Sequence, residues 1–235
     1  MPKGVWTVAK LNLRNVKGAY AWTAGLAACL FIQTGIKTVM AMRGYNMTDN
    51  LEISFGSFLF ALPVLAAITV PVANFRRVAN LGGRRGVFLW GSLATYAVLA
   101  GAVAVANTVV VYAVDAPLRA TGYFDGVVNV IDVFGWTAAG PVAAALRQFA
   151  FLLMAAAVVH VMAAAQDKWY GWAADVAVVA VIAVFTPIAP LRRALVWFFD
   201  RVIFDPNAWA QIACCLLLAA VFYALSRPVF TRKPI

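Results

Sequence analysis

Very few side chains in the apolar parts of this sequence could do chemistry. They are Gln33, Thr34, Asn107, Thr108, Gln148 and the only histidine, His160. Polar groups at membrane depth either line a path for cargo or hydrogen-bond across a helix contact, the latter worth about 0.6 kcal/mol each. Gln33, Asn107, Gln148 and His160 are the candidate pathway-lining residues, and a structural role is the competing reading for each. Asp175 falls near the start of an apolar stretch, where a helix N-terminus would stabilise its charge; a proton or substrate relay would sit deeper. Cys29, Cys214 and Cys215 show no metal-ligand spacing with His160 and read as small apolar filler.

The signatures of catalysis are missing from this set. The chain has no G-x-x-x-x-G-K-[ST] phosphate loop, no H-E-x-x-H, no G-x-S-x-G elbow and no paired intramembrane aspartates. A lone polar group in lipid has no partner to activate it. The sequence therefore predicts no catalytic residues, no metal site, no cofactor of its own and no enzyme.

The most distinctive stretch is Asn74-Phe75-Arg76-Arg77-Val78-Ala79-Asn80-Leu81-Gly82-Gly83-Arg84-Arg85-Gly86, which places four arginines and three glycines between two apolar blocks. A bare turn needs only a few polar residues. This join is long enough for a short helix, and its arginines exceed what orientation in the membrane requires. An ordinary positive-inside loop is the alternative.

These groups must be positioned by elements that live in lipid. Of 235 residues 64% are hydrophobic and only 12% charged. The apolar residues form six blocks, 20–42, 54–74, 87–113, 143–165, 170–190 and 208–226. About 20 residues, rising about 1.5 Å each, suffice to cross the hydrocarbon core. The expectation is an all-α polytopic membrane protein, one transmembrane domain over 1–235 with six spans. The first span is too long for a signal peptide and reads as uncleaved. The third exceeds the bilayer, so it tilts or projects.

The net charge of +10 is a matter of topology rather than of nucleic acid. With the N-terminus cytoplasmic, the inner segments hold Lys3, Lys10, Arg14, Lys17, Arg76, Arg77, Arg84, Arg85, Lys168, Arg227, Arg232 and Lys233 against Asp167 alone. The outer segments balance Lys37, Arg43, Arg119, Arg147, Arg192, Arg193 and Arg201 with Asp49, Glu52, Asp115, Asp125, Asp132, Asp200 and Asp205. Both termini are expected inside.

Local patterns refine the picture. Over 4–19, at about 100° per residue, Trp6, Ala9, Leu13, Val16 and Tyr20 share one face, with Lys3, Lys10, Arg14 and Lys17 beside it. This predicts an interfacial helix with Trp6 and Leu13 in the headgroups and Lys10, Arg14 and Lys17 toward anionic lipid. Pro63 and Pro71 kink the second span. In the outer segment 114–142, residues 122–126 read as a turn, 127–134 as a short helix or strand, and Gly140-Pro141 as the start of the fourth span. Gln166 to Trp172 form a tight hairpin with interfacial aromatics. Over 191–206, Leu191, Leu195, Phe198 and Val202 share a face, predicting an amphipathic segment in the outer interface or re-entering the membrane.

Taken together, six spans, an amphipathic N-terminal helix, a basic loop after the second span and an outer amphipathic segment between the fifth and sixth resemble the transmembrane subunit of an ABC-2-type exporter. The likeness covers nearly the whole chain and is closest to the compact bacterial permeases encoded apart from their ATPase. Its most specific piece is 75–90, where arginines and glycines precede aromatics opening the third span; the 169–172 hairpin is a second. The resemblance implies a bacterial cell-membrane permease working as a dimer with itself or a similar subunit. Two ATP-binding subunits would supply ATP and Mg. It makes Arg76, Arg77, Leu81, Arg84 and Arg85 contacts of a coupling helix braced by the N-terminal helix. The cargo expected from the apolar interior is hydrophobic or amphipathic: a peptide, lipid or drug-like molecule. A membrane-embedded binding protein, either a vitamin-importer capture subunit or a peptide-sequestering immunity protein, is the alternative.

Overall fold

A computed structural model describes residues 4–45, 52–121 and 126–231. Of the described residues 86% are helical. Among the described residues five helices are long and apolar enough to cross a membrane, or six if one sharply bent pair counts as a span. The molecule is a multi-pass membrane protein.

Helix α1 (Val5–Asn15) is followed without a loop by α2 (Lys17–Met42), the two parting at Val16, whose φ of −85° and ψ of 30° leave the helical region. The helix expected over 4–19 therefore ends four residues early. A two-residue strand, β1 (Glu52–Ile53), pairs in parallel with β2 (Val127–Val128). Between them run α3 (Phe55–Asn80) and α4 (Arg85–Ala120). The expected third span, 87–113, thus extends to Ala120; 36 residues at about 1.5 Å each make roughly 54 Å, well beyond the hydrocarbon core. After β2 come the single turn α5 (Val130–Val133) and a 3₁₀ turn at Trp136–Ala139. Residues 127–134 therefore contain both the strand and the helix left open by the sequence. The turn expected at 122–126 lies mostly outside the described residues.

Helix α6 (Pro141–Ala165) is the hub, packing on α9 (Ala208–Thr231), α4 and α3. Alanines make this close packing possible: Ala144, Ala150, Ala156, Ala157 and Ala164 are fully buried on it. The expected fifth span, 170–190, is corrected. Helix α7 (Trp169–Phe185) stops five residues short, and the chain turns through 117° into α8 (Ala189–Phe204). Pro187 lies in the break and Pro190 in the first turn of α8, where a proline cannot continue an upstream helix. Of the face expected on α8, Val202 is buried, Leu191 and Leu195 are half-buried and Phe198 is exposed, as are Trp197, Phe199 and Phe204. Helices α2 and α7 leave most of their apolar surface uncovered by protein.

Candidate functional site

Local backbone chemistry explains how the arginine-glycine join folds. Helix α3 does not end at 74. It passes through a π-helical turn, Val70–Asn74, which contains Pro71, and continues as an α-helix over Phe75–Asn80. The short helix foreseen in the join is thus an extension of the second span rather than a separate element. It stops in a Schellman motif: Gly83 N–H donates to the Val78 carbonyl and Gly82 N–H to the Ala79 carbonyl, each at 2.9 Å. Gly82 has φ +74°, and a β-carbon on Gly83 would lie 2.7 Å from the Val78 oxygen, so this turn demands both glycines. Arg84 then adopts an extended conformation and α4 begins at Arg85.

The apex of the turn is Leu81, 80% exposed. Arg76, Arg77 and Arg84 around it are also exposed, while Arg85 is half-buried and donates to the Thr231 carbonyl at the end of α9. The inner side of the turn is closely packed. Phe75, Phe88 and Phe230 form a closed aromatic cluster with centroid separations of 5.2, 4.8 and 5.4 Å. The Phe230 ring stacks on His160, whose Nδ1 lies 2.7 Å from the Tyr96 hydroxyl. His160 is therefore fully buried among aromatics.

Helix α1 braces the same end, but through a different face from the one expected. Val5, Val8, Ala9 and Asn12 are buried, whereas Trp6 is 54% exposed. The packed face is rotated by roughly a fifth of a turn from the predicted stripe. Contact with α4 is close: a β-carbon on Gly91 would meet Val8 Cγ1 at 2.6 Å and the Val5 oxygen at 3.1 Å. Asn74 Nδ2 donates to Asn12 Oδ1 at 3.1 Å, joining α1 to the π-helical turn. Trp6 and the half-buried Leu13 flank the packed face, and Lys10, Arg14 and Lys17 point away from the protein. The helix thus has a protein-facing, an apolar and a cationic surface.

At the opposite end the structure unites two predicted residues and separates two. Asn107 Nδ2 donates to Gln148 Oε1 at 3.0 Å, and Gln148 Nε2 donates to Thr108 Oγ1 at 2.9 Å. Asn129 completes the network, donating to Asn107 Oδ1 at 2.9 Å and to Asp115 Oδ2 at 3.2 Å. Ser57 Oγ accepts from Val130 N–H, and Ser54 Oγ from Gly56 N–H. Asn107, Asn129 and Gln148 are fully buried and hydrogen-bond to one another. Gln33 stands apart, donating to Glu52 Oε1 at 2.7 Å beside the Lys37–Glu52 ion pair, which ties α2 to β1. His160 belongs to the inner cluster. Asp175 accepts from Gln166 Nε2 at 2.6 Å, a side-chain partner across the hairpin that the helix-dipole reading did not foresee.

Asn129, Asp115, Ser54 and Ser57 were not singled out in the sequence: Asp115 and Asn129 fall in the outer segment 114–142, and Ser54 and Ser57 at the start of the second apolar block, where a serine carries no signal of its own. One signal was available: Asn129 caps α5, accepting from Ile131 N–H. Nearby, Arg147 donates to the Asp205 carbonyl and Trp136 Nε1 to the Ile203 carbonyl at 2.7 Å, holding the end of α8 against α6. Arg201 donates to Asp205 Oδ2 at 2.8 Å and Asn207 N–H to Oδ1 at 2.8 Å. These bonds, the Arg201 bond foremost, hold the Asp205 carboxyl below the usual carboxylate range. Among the described residues no group of three or more His, Cys, Asp or Glu could hold a metal ion.

Comparisons with protein-family models, curated proteins and solved structures find no match. The geometry therefore carries the functional argument unaided. It offers an exposed cationic apex backed by packed aromatic rings at one end and a hydrogen-bonded polar clasp at the other.

Proposed function

We propose that this chain is the transmembrane permease subunit of an ATP-driven exporter of the ABC-2 type. It works as a dimer with itself or a similar subunit and lies in a bacterial inner membrane with both termini cytoplasmic. One observation carries the reading: Leu81, ringed by Arg76, Arg77 and Arg84, projects from a turn fixed behind by Phe75, Phe88 and Phe230 and beside by α1. A loop that only oriented the chain would need neither an exposed leucine at its tip nor such backing. A separate ATP-binding subunit, holding ATP and Mg, would receive this apex in an acidic groove. Because the join continues α3 and opens α4, force on it is delivered directly to two spans.

The test uses the full chain co-expressed with a candidate ATP-binding subunit. R76E/R84E reverses two exposed charges and spares Arg85, which the fold uses. Loss of two interface contacts of ordinary hot-spot strength would lower recovered ATPase about tenfold or more. Expression and elution of the permease should not change. Full recovery of the ATPase with R76E/R84E would sink the coupling role.

A further inference from the structure

A cavity of about 550 Å³ opens between α4 and α9 over Leu153 of α6. Leu89, Leu93, Leu216 and Ala220 line it, with Trp90 on one wall and Arg227 at its basic end. The Tyr223 hydroxyl is already committed to the Leu89 carbonyl, so the walls offer an occupant almost no polar group. From Leu216 to Arg227 the cavity follows α9 for eleven residues, about 16 Å at helical rise. That is about half the 30 Å hydrocarbon core, the depth of one leaflet. Arg227 is exposed and makes no hydrogen bond or ion pair among the described residues. Trp90, also exposed, has the amphipathic ring that settles at headgroup level.

We infer that this cavity is a binding site for one anionic phospholipid, an acyl chain lying along α9 between Leu93 and Leu216 and its phosphate paired with Arg227. Three observations select that occupant. The slot is apolar and one leaflet deep. The cation that lines it, Arg227, sits at the headgroup end. The same end of the molecule carries Lys10, Arg14, Lys17, Arg76, Arg77, Arg84, Arg85 and Lys168, opposed among the described residues by only Asp167 and Asp175, so it faces the leaflet where anionic lipid concentrates. A zwitterionic lipid offers the same phosphate but brings its own cation beside Arg227 and loses the net attraction, and a polar cargo would find no partner along the walls. The site shares no residue with the arginine apex and does not depend on the export reading.

Native mass spectrometry of the purified full-length chain, titrated with phosphatidylglycerol or phosphatidylcholine, tests this. Wild type is expected to retain one phosphatidylglycerol in preference to phosphatidylcholine. One arginine near the surface accounts for roughly a fivefold preference, so R227Q should bind both lipids alike. A220W, placed in the slot from an exposed position, should lose the single tight adduct with either lipid. L217W, on the exposed side of α9 outside the slot, should keep it. Unchanged adducts in both R227Q and A220W, with elution like wild type, would overturn the assignment. Equal loss in L217W would do so too, by removing the slot as the cause.

Discussion

Replacing Gly56 with alanine tests whether the buried amide network holds the outer end together. A helical glycine changed to alanine ordinarily gains about 0.5–1 kcal/mol. Gly56 should behave oppositely, because a β-carbon there would lie 2.1 Å from Asn107 Oδ1, 3.0 Å from Val110 Cγ1 and 3.2 Å from Asn129 Nδ2. The Asn107 amide must swing away. It then gives up its bonds to Gln148 at 3.0 Å and to Asn129 at 2.9 Å, among residues that are themselves fully buried. Each buried group left unsatisfied costs about 1–3 kcal/mol, so G56A should destabilise by about 2–4 kcal/mol. Gly25 is the matched control, since a β-carbon added there would meet nothing within 4 Å; G25A should be neutral or stabilising.

Equilibrium unfolding in mixed micelles would read both variants, and a double-mutant cycle with N107A isolates the cause. With Asn107 truncated the 2.1 Å clash is gone and only the two milder contacts stay, so G56A in that background should cost much less than alone. Additive costs for G56A and N107A, or a neutral G56A, would refute the network as the basis of outer-end stability.

The remaining expectations concern charge and topology. Asp205 is held below its ordinary range by Arg201 and by Asn207 N–H, so its contribution is present above the unfolded carboxylate value near pH ~4 and is lost as pH falls through the lower folded value. D205N should flatten the stability curve between roughly pH 5 and 3, and an acid limb as steep as wild type would exclude Asp205 as a source. In a background without native cysteines, a cysteine at Asn80 should react with an impermeant maleimide only after cells are opened. One at the exposed Val133 should react from outside. The reverse pattern would invert the proposed orientation.

Most of the helical plan could be read from hydropathy, since block length alone decides which segments can span. What the pattern could not supply was the rotation of a helix once it has a protein neighbour. On α1 the apolar stripe through Trp6 and Leu13 was visible, yet Val8 docks on Gly91 because only a glycine lets the backbones come so close. Asn12, polar by type, turns inward for the same reason that Asn74 does: each is the other's partner. Hydropathy showed that the third span outruns the bilayer but not that α4 continues to Ala120, and it missed the early break between α7 and α8. Of the four intramembrane candidates, Asn107 and Gln148 are 41 positions apart, a pairing that periodicity cannot see.

The two ends are built from different physics, and that bears on how the molecule could move. The outer clasp depends on directional amide bonds that are either made or broken. The inner end is joined by ring contacts running from Phe75 through Phe230 to His160, and from there to Tyr96. Ring contacts tolerate sliding, because dispersion varies gently with offset, whereas a buried amide pair displaced by an ångström loses its bond. A push on Leu81 would therefore be shared among α3, α4, α6 and α9 at low cost near the basic end. The same displacement carried to Asn107 would meet a sharp resistance. On the export reading this makes the clasp the threshold that nucleotide-driven force must exceed. Weakening it by N107A should then raise basal leakage of cargo without altering recovery of the ATP-binding subunit. A variant that lost the subunit and leaked nothing would show that the two ends are not related in this way.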